Sequence, residues 1–291
     1  MYILTYNINF KDLDSIIELL QINDIFNVFY ESPLEITTDE YGYGYLEKEV
    51  STIDIKIAYD EEVDNLNIFK DKISSLINSE CISVEEANYN YETYDFPSIS
   101  INDNWVLASP DEDICDKNIH KISFISQGAF GTGLHETTKD LLNIILTKID
   151  LCDKKVLDIG TGSGILSIAS AIIGASKVTA LDIRDVREEV EFNASLNGIY
   201  NIQILVGDAL NGEVKIEENY DWIYINIGGE ETELFMDFIK EHLLPDGKLL
   251  VSGLVEWSFD KVKSIVEKHG FELTDKYQSN EWITAIFNKI D

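Results

Sequence analysis

Val156-Leu157-Asp158-Ile159-Gly160-Thr161-Gly162-Ser163-Gly164 is an apolar run that ends in three glycines spaced by two. The pattern reads as a strand, a tight turn and the start of a helix. Glycine reaches positive φ and lets a ligand approach the backbone where a Cβ would otherwise stand. A dinucleotide fingerprint would place a third-turn glycine at position 165, where Ile165 stands, and a phosphate-cradling loop would end in Gly-Lys-Ser/Thr, which is absent. Downstream, helical and strand patterns alternate: helix 165–173, strand 177–181, helix 186–197, strands 202–206 and 222–225, helix 231–243, strand 248–252, helix 259–269 and strand 282–287. Upstream, His135 to Ile149 reads as a helix and Lys155 to Ile159 as a strand. Repeated units of this kind predict an α/β fold, a mostly parallel sheet with helices on both faces. Ligands of such sheets bind beyond the carboxyl ends of the strands.

Two acids fall at those ends. Asp182 closes Val178-Thr179-Ala180-Leu181, 22 residues after Gly160, where its carboxylate can accept from both hydroxyls of a ribose. NAD enzymes carry an acid at similar spacing, so the glycine pattern discriminates and Asp182 does not. Asp208, in Val206-Gly207-Asp208-Ala209, closes the next strand. It stands where an adenine amino group would be met, or it is a turn residue. Before the strand comes Gly128-Ala129-Phe130-Gly131-Thr132-Gly133-Leu134-His135-Glu136-Thr137-Thr138, a glycine-rich turn that opens a helix. Its free amides suit a carboxylate, and Thr137 and Thr138 offer hydroxyl donors. No second histidine lies at ligand spacing from His135, so no metal is expected.

The Asp-x-Gly-x-Gly-x-Gly form resembles the S-adenosylmethionine loop of class I methyltransferases. The 128–138 segment is similar to that of the PrmA family, bacterial methyltransferases of a large-subunit ribosomal protein. The strand ending in Asn226-Ile227 and the late Glu281-Trp282 also match that family. The resemblance implies S-adenosyl-L-methionine as cofactor, held by Phe130, Gly131, Thr132, Gly133, Thr137, Thr138, Gly160, Gly162, Gly164, Asp182, Asp208 and Asn226. It implies a protein N-methyltransferase acting on lysine or N-terminal amino groups of a ribosomal protein, with Asn226 orienting the amine. No general base is identified. The chain departs from the family at Ile183-Arg184-Asp185-Val186 and at Gly228-Gly229-Glu230-Glu231, where apolar residues are usual after Asn226-Ile227. A class I methyltransferase for a small molecule, and a non-catalytic cofactor-binding module, remain alternatives.

The first third of the chain reads differently. Strand patterns at 2–9, 25–30, 52–59 and 82–87 alternate with helical patterns at 11–22 and 63–77. That order predicts a small α+β domain of ferredoxin-like type over residues 1–90. Tyr41 to Tyr45 reads as a hairpin or loop tip. Residues 91–126 are expected to be a linker with lead-in strands at 105–108 and 122–125, and residues 127–291 the methyltransferase domain. The 291 residues hold 54 Asp and Glu against 22 Lys and Arg, a net charge of −32. So acidic a surface repels nucleic-acid phosphates and anionic lipid and suits a basic protein partner. Residues 1–100 carry 21 of the acids and only 5 lysines. Cys81, Cys115 and Cys152 form no paired motif. The N-terminus lacks a basic, apolar leader, and no apolar run reaches the ~18 residues of a membrane span, so a cytoplasmic protein is expected.

A chain beginning near residue 95 should still bind S-adenosylhomocysteine and should lose methylation of a basic protein substrate. Association of the full chain with that substrate should slow as salt rises, because steering between opposite charges is screened. Equal methylation by both chains at low and high salt would show that the acidity serves solubility alone.

Overall fold

The computed structural model describes residues 1–60, 63–86, 98–127, 131 and 135–290. The chain groups into two compact units, Met1–Thr37 with Tyr43–Tyr94, and Thr38–Gly42 with Asp95–Asp291.

The smaller unit contains β1 (Tyr2–Asn9), α1 (Leu13–Ile22), β2 (Val28–Tyr30), β3 (Leu34–Thr38), β4 (Tyr43–Glu47), β5 (Thr52–Tyr59), α2 (Leu66–Ile77) and β6 (Cys81–Glu86). Its main sheet has the order β2-β5-β1-β6 with every pair antiparallel. This is the interleaved arrangement of two strand–helix–strand halves. The period-2 alternation read from the sequence puts Leu4, Tyr6 and Ile8 of β1 and Ile53, Ile55 and Ile57 of β5 on one face. They pack there with Leu13 and Leu20 of α1 and Ile73 and Ile77 of α2. β3 and β4 pair as a separate hairpin around the tyrosine-rich segment. The strand expected from Ile25 begins only at Val28, because Asp24 (φ +63°) continues the turn that ends α1.

The larger unit begins with a small sheet of β7 (Ile99–Asn102), β8 (Trp105–Ala108) and β9 (His120–Ser123). There follow α3 (Glu136–Thr147), β10 (Lys155–Ile159), α4 (Ile165–Ile172), β11 (Lys177–Asp182), α5 (Arg187–Leu196), β12 (Ile202–Val206) and β13 (Tyr220–Asn226). α6 (Gly229–His242), β14 (Leu243–Val255), α7 (Phe259–Lys268), β15 (Phe271–Ser279) and β16 (Trp282–Lys289) complete it. The seven-stranded sheet runs β12-β11-β10-β13-β14-β16-β15. Pairs from β12 to β14 are parallel, and β16 is antiparallel to both neighbours.

Alternate residues of the central strands feed two cores. Val156, Val178, Trp222 and Tyr224 face Leu141, Ile145, Ile165 and Ile168. Leu157, Ile159, Ile223 and Ile225 face Met236, Ile239, Val262 and Val266. β15 was not legible in the sequence. It is an edge strand whose Glu272, Asp275 and Lys276 are exposed, so its apolar alternation is interrupted by charge. Strand order reverses at β10, since β11 lies on one side and β13 on the other. The crevice beyond their carboxyl ends is therefore the expected ligand position.

A polar ladder joins α5 to the chain that follows β9. Asn197 accepts from Ser123 N (2.9 Å) and donates to Ser123 O (2.8 Å). Asn193 does the same for Ile125 (2.9 and 3.1 Å), and Glu189 accepts from Gln127 N (3.2 Å). Asn193 is fully buried. Asn193→Ala should therefore cost about 1–3 kcal/mol, because it removes two hydrogen bonds to the Ile125 backbone and empties a buried site. Urea unfolding measures this, and a loss under 1 kcal/mol would show that water replaces the amide.

Candidate active site

The turn after β10 has the backbone the glycines were expected to permit. Gly160, Gly162 and Gly164 have φ of +69°, +54° and +77°. A Cβ on Gly164 would lie 2.8 Å from Val190 of α5, so only glycine lets this helix pack against the turn. Gly160 N and Thr161 N both donate to Leu181 O (2.8 and 3.0 Å), which ties the turn to the end of β11.

Beneath the turn lies Asp158, 1% exposed. Its Oδ2 accepts from Thr161 Oγ1 (2.7 Å) and from Ser167 Oγ (2.8 Å). Burial pushes this carboxyl from its ordinary value of 3.8 up to about 6, against the pull of the two hydroxyls, and the charge of Asp182 pushes the same way. Asp158 was read only as part of a motif; its role as the turn's anchor needed the Thr161 and Ser167 contacts to be seen.

Asp182 stands at the tip of β11. Its Oδ2 accepts from Gly162 N (2.9 Å) and its Oδ1 from Arg184 N (3.0 Å). Each oxygen keeps a further lone pair for a ligand hydroxyl. Asp208 caps its own turn: Oδ1 accepts from Leu210 N (2.9 Å) and Asn211 N (3.2 Å), and Oδ2 from Asn211 Nδ2 (2.6 Å). Asn226, at the end of β13, has a buried Oδ1 with no partner among the described residues. A buried acceptor left unpaired is costly, which marks it as waiting for a donor.

These residues share one cavity of about 550 Å³, lined by Gly160, Gly162, Asp182, Asp208 and Asn226. Its other walls are mainly apolar: Ile183, Leu210, Ile227, Leu234 and Phe235. Arg184 and Glu231 complete it with a charge of each sign. Sequence reading registered both only as departures from a family pattern, and the helix period of α6 is the signal that would have turned Glu231, Leu234 and Phe235 to one side.

The upstream segment is arranged differently. His135 caps α3, accepting at Nδ1 from Thr137 N (3.4 Å), and its ring sits edge-on to Trp282 (4.6 Å). Burial lowers its pKa, so the neutral capping form is favoured. Thr137 Oγ1 lies 2.8 Å from the same nitrogen. Thr138 Oγ1 is buried with no partner among the described residues. Gly131 O accepts from Ser163 Oγ (2.9 Å), which links this segment to the glycine turn. Gly131, Thr137, Thr138 and Gly164 do not line the cavity. Phe130, Thr132 and Gly133 lie outside the described residues. Among the described residues, no group of three or more His, Cys, Asp or Glu is placed to hold a metal. No helix among them is long and apolar enough to cross a membrane.

The sequence profile described as ribosomal protein L11 methyltransferase (PrmA) matches residues 9–290. Ribosomal protein L11 methyltransferases of Streptococcus agalactiae and Streptococcus thermophilus are each 31% identical over 87% of this chain and 84% of their own. The crystal structure of a ribosomal protein L11 methylase from Lactobacillus delbrueckii subsp. bulgaricus is 28% identical. It superposes with a TM-score of 0.59, over 67% of this chain and 99% of that one.

Asp158 has a folded-state pKa above its unfolded value, so the folded chain binds its proton more tightly. Its ionisation therefore costs stability at neutral pH, and that cost disappears as pH falls through about 6 towards 3.8. The stability of the native chain relative to Asp158→Asn should rise by about 2–3 kcal/mol between pH 7 and pH 4, at roughly 1.4 kcal/mol per unit. Urea midpoints at the two pH values check this. A constant difference would mean that Asp158 titrates normally.

Proposed function

We propose that this chain, which belongs to the ribosomal protein L11 methyltransferase (PrmA) family, transfers methyl groups from S-adenosylmethionine to amino groups of a ribosomal protein. The acceptors are lysine side chains or the N-terminal amine, and L11, named for the relatives, is the first candidate. The fold is that of a class I methyltransferase. The observation that carries the reading is that Asn226, whose buried Oδ1 has no partner among the described residues, lines the cavity that also holds Asp182 and the glycine turn.

The residues present fit the cofactor. Bound here, S-adenosylmethionine would supply a methyl group activated by its sulfonium. Gly160 and Gly162 leave the backbone open to close approach. Asp182 has acceptor capacity for two ribose hydroxyls, and Asp208, which also lines the cavity, serves the adenine. Thr138, whose buried hydroxyl has no partner among the described residues, lies outside the cavity lining, on the segment that Ser163 ties to the turn.

Asn226 holds the amine by accepting its N–H, which turns the nitrogen lone pair towards the methyl group. Most of the acceleration then comes from in-line positioning. A lysine with a pKa near ~10.4 must first lose its proton, at a cost of about 4–5 kcal/mol at neutral pH. Residues 1–90, dense in carboxylates, serve as the recognition domain for the basic protein.

Incubation with methyl-labelled cofactor and purified ribosomal protein L11 should label L11, and a wild-type chain that leaves it unlabelled overturns the reading. Calorimetry with S-adenosylhomocysteine tests the site separately. Gly162→Val should abolish binding, because a β-branched residue cannot hold its positive φ. Asp182→Ala should weaken binding by about 1.5–3 kcal/mol, the range for hydrogen bonds to a charged group. Unchanged affinity in both would remove the cofactor from this cavity.

A further inference from the structure

Glu231 stands three residues into α6, and its side chain lines the same cavity as Asn226. Its Oε2 lies 2.7 Å from where a Cβ on Gly228 would stand. The carboxylate is therefore folded back over the turn between β13 and α6, and it fits there because residue 228 has no side chain. Glu231 and Asn226 thus reach the lining of the cavity from a six-residue segment, and the buried Oδ1 of Asn226 has no partner among the described residues. A protonated amine has three donors and no acceptor, so it is complementary to such a set. A bound thioether, adenine or ribose already has Asp182, Asp208 and the glycine turn.

We propose that Glu231 is the proton acceptor for the substrate amine, and this rests on the methyltransferase reading above. The ammonium donates to Asn226 Oδ1 and to the Glu231 carboxylate. Glu231 takes one proton and becomes a carboxylic acid, and the ammonium becomes a neutral amine. The amine lone pair forms the new N–C bond while the S–C bond breaks with its electron pair left on sulfur. A positive sulfonium and a neutral amine become a neutral thioether and a positive methylammonium, and charge balances. Glu231 returns its proton to solvent as the product leaves.

Other charged groups face the same space. Asp182, Arg184 and Asp208 line the cavity, and Asp182 and Asp208 are held by the backbone bonds described above. On α6 itself, Glu230 is exposed and Glu233 accepts from the Tyr41 hydroxyl. On the adjacent α7, Lys261 is paired with Glu40 at 2.8 Å. Among the described residues, Asp182 and Asp208 are hydrogen-bonded to the backbone turns that form the walls, whereas the Glu231 carboxylate is not.

Glu231→Gln and Glu231→Asp would be assayed with methyl-labelled cofactor and L11 from pH 7 to pH 10, with S-adenosylhomocysteine affinity measured on each. Glu231→Gln should lower kcat about 100-fold at pH 7.5, the usual scale for a lost proton acceptor. The deficit should close towards pH 10, where the amine loses its proton unaided. Glu231→Asp should recover part of the rate, and cofactor-product affinity should stay unchanged in both. A deficit of equal size at every pH, or no deficit, overturns the assignment while leaving the enzyme a methyltransferase. Lost affinity for S-adenosylhomocysteine in both variants places Glu231 on the cofactor and also overturns it. A wild-type chain that transfers no methyl group overturns the functional reading, and this assignment with it.

Discussion

One buried oxygen, Asp158 Oδ2, holds the glycine turn on the end of β10 by accepting from Thr161 and Ser167. A charged or half-charged carboxyl in an apolar sheet is costly unless its lone pairs are used. Those two hydroxyls use them, and in doing so they fix where the turn leaves the strand and where α4 starts. The turn's own amides then meet Leu181 O and Asp182 Oδ2, so the ends of β10 and β11 are locked in register. The position of Asp182 in the cavity is thus a consequence of Asp158, which does not touch the cavity at all.

The sheet supplies the rest. Parallel pairing of β10 with β11 and with β13 sends three chain ends to one edge. The reversal of strand order leaves a gap between them that no helix fills. Leu157, Ile159, Ile223 and Ile225 bury the lower face against α6 and α7, which keeps the first turn of α6 close to Asn226. The site is therefore assembled from strand ends on a rigid base, with polar groups arriving from separate loops.

Much of this was legible before any coordinates. Periodicity puts the glycine turn, Asp182 and Asp208 at strand ends, the family resemblance adds Asn226, and Gly160, Gly162 and the three polar residues line one cavity. Order in the smaller unit followed from clean alternation in β1 and β5. What sequence hid had a physical cause in each case. β15 is a charged edge strand, and its pattern is carried by cross-strand partners rather than by its own residues. Arg184 and Glu231 sit on loops and a helix start, where position in space depends on the packing of distant elements. The contact of the Thr137 hydroxyl with the imidazole that caps its helix depends on the local turn, which residue spacing does not mark.

The ladder of Glu189, Asn193 and Asn197 has a consequence for solubility. β9 is the last strand of its small sheet, so one side of it and of the chain beyond is an open edge. Open edges recruit strands from other molecules. Here the amides of Ser123, Ile125 and Gln127 are consumed by side chains at every fourth position of a helix. Four helical residues rise about 6.0 Å and two strand residues about 6.6 Å, so the match drifts by roughly 0.6 Å per rung and suits only a short run. Three rungs are what is present. A helix thereby imitates a neighbouring strand from Ser123 to Gln127, and closes that stretch against a stranger.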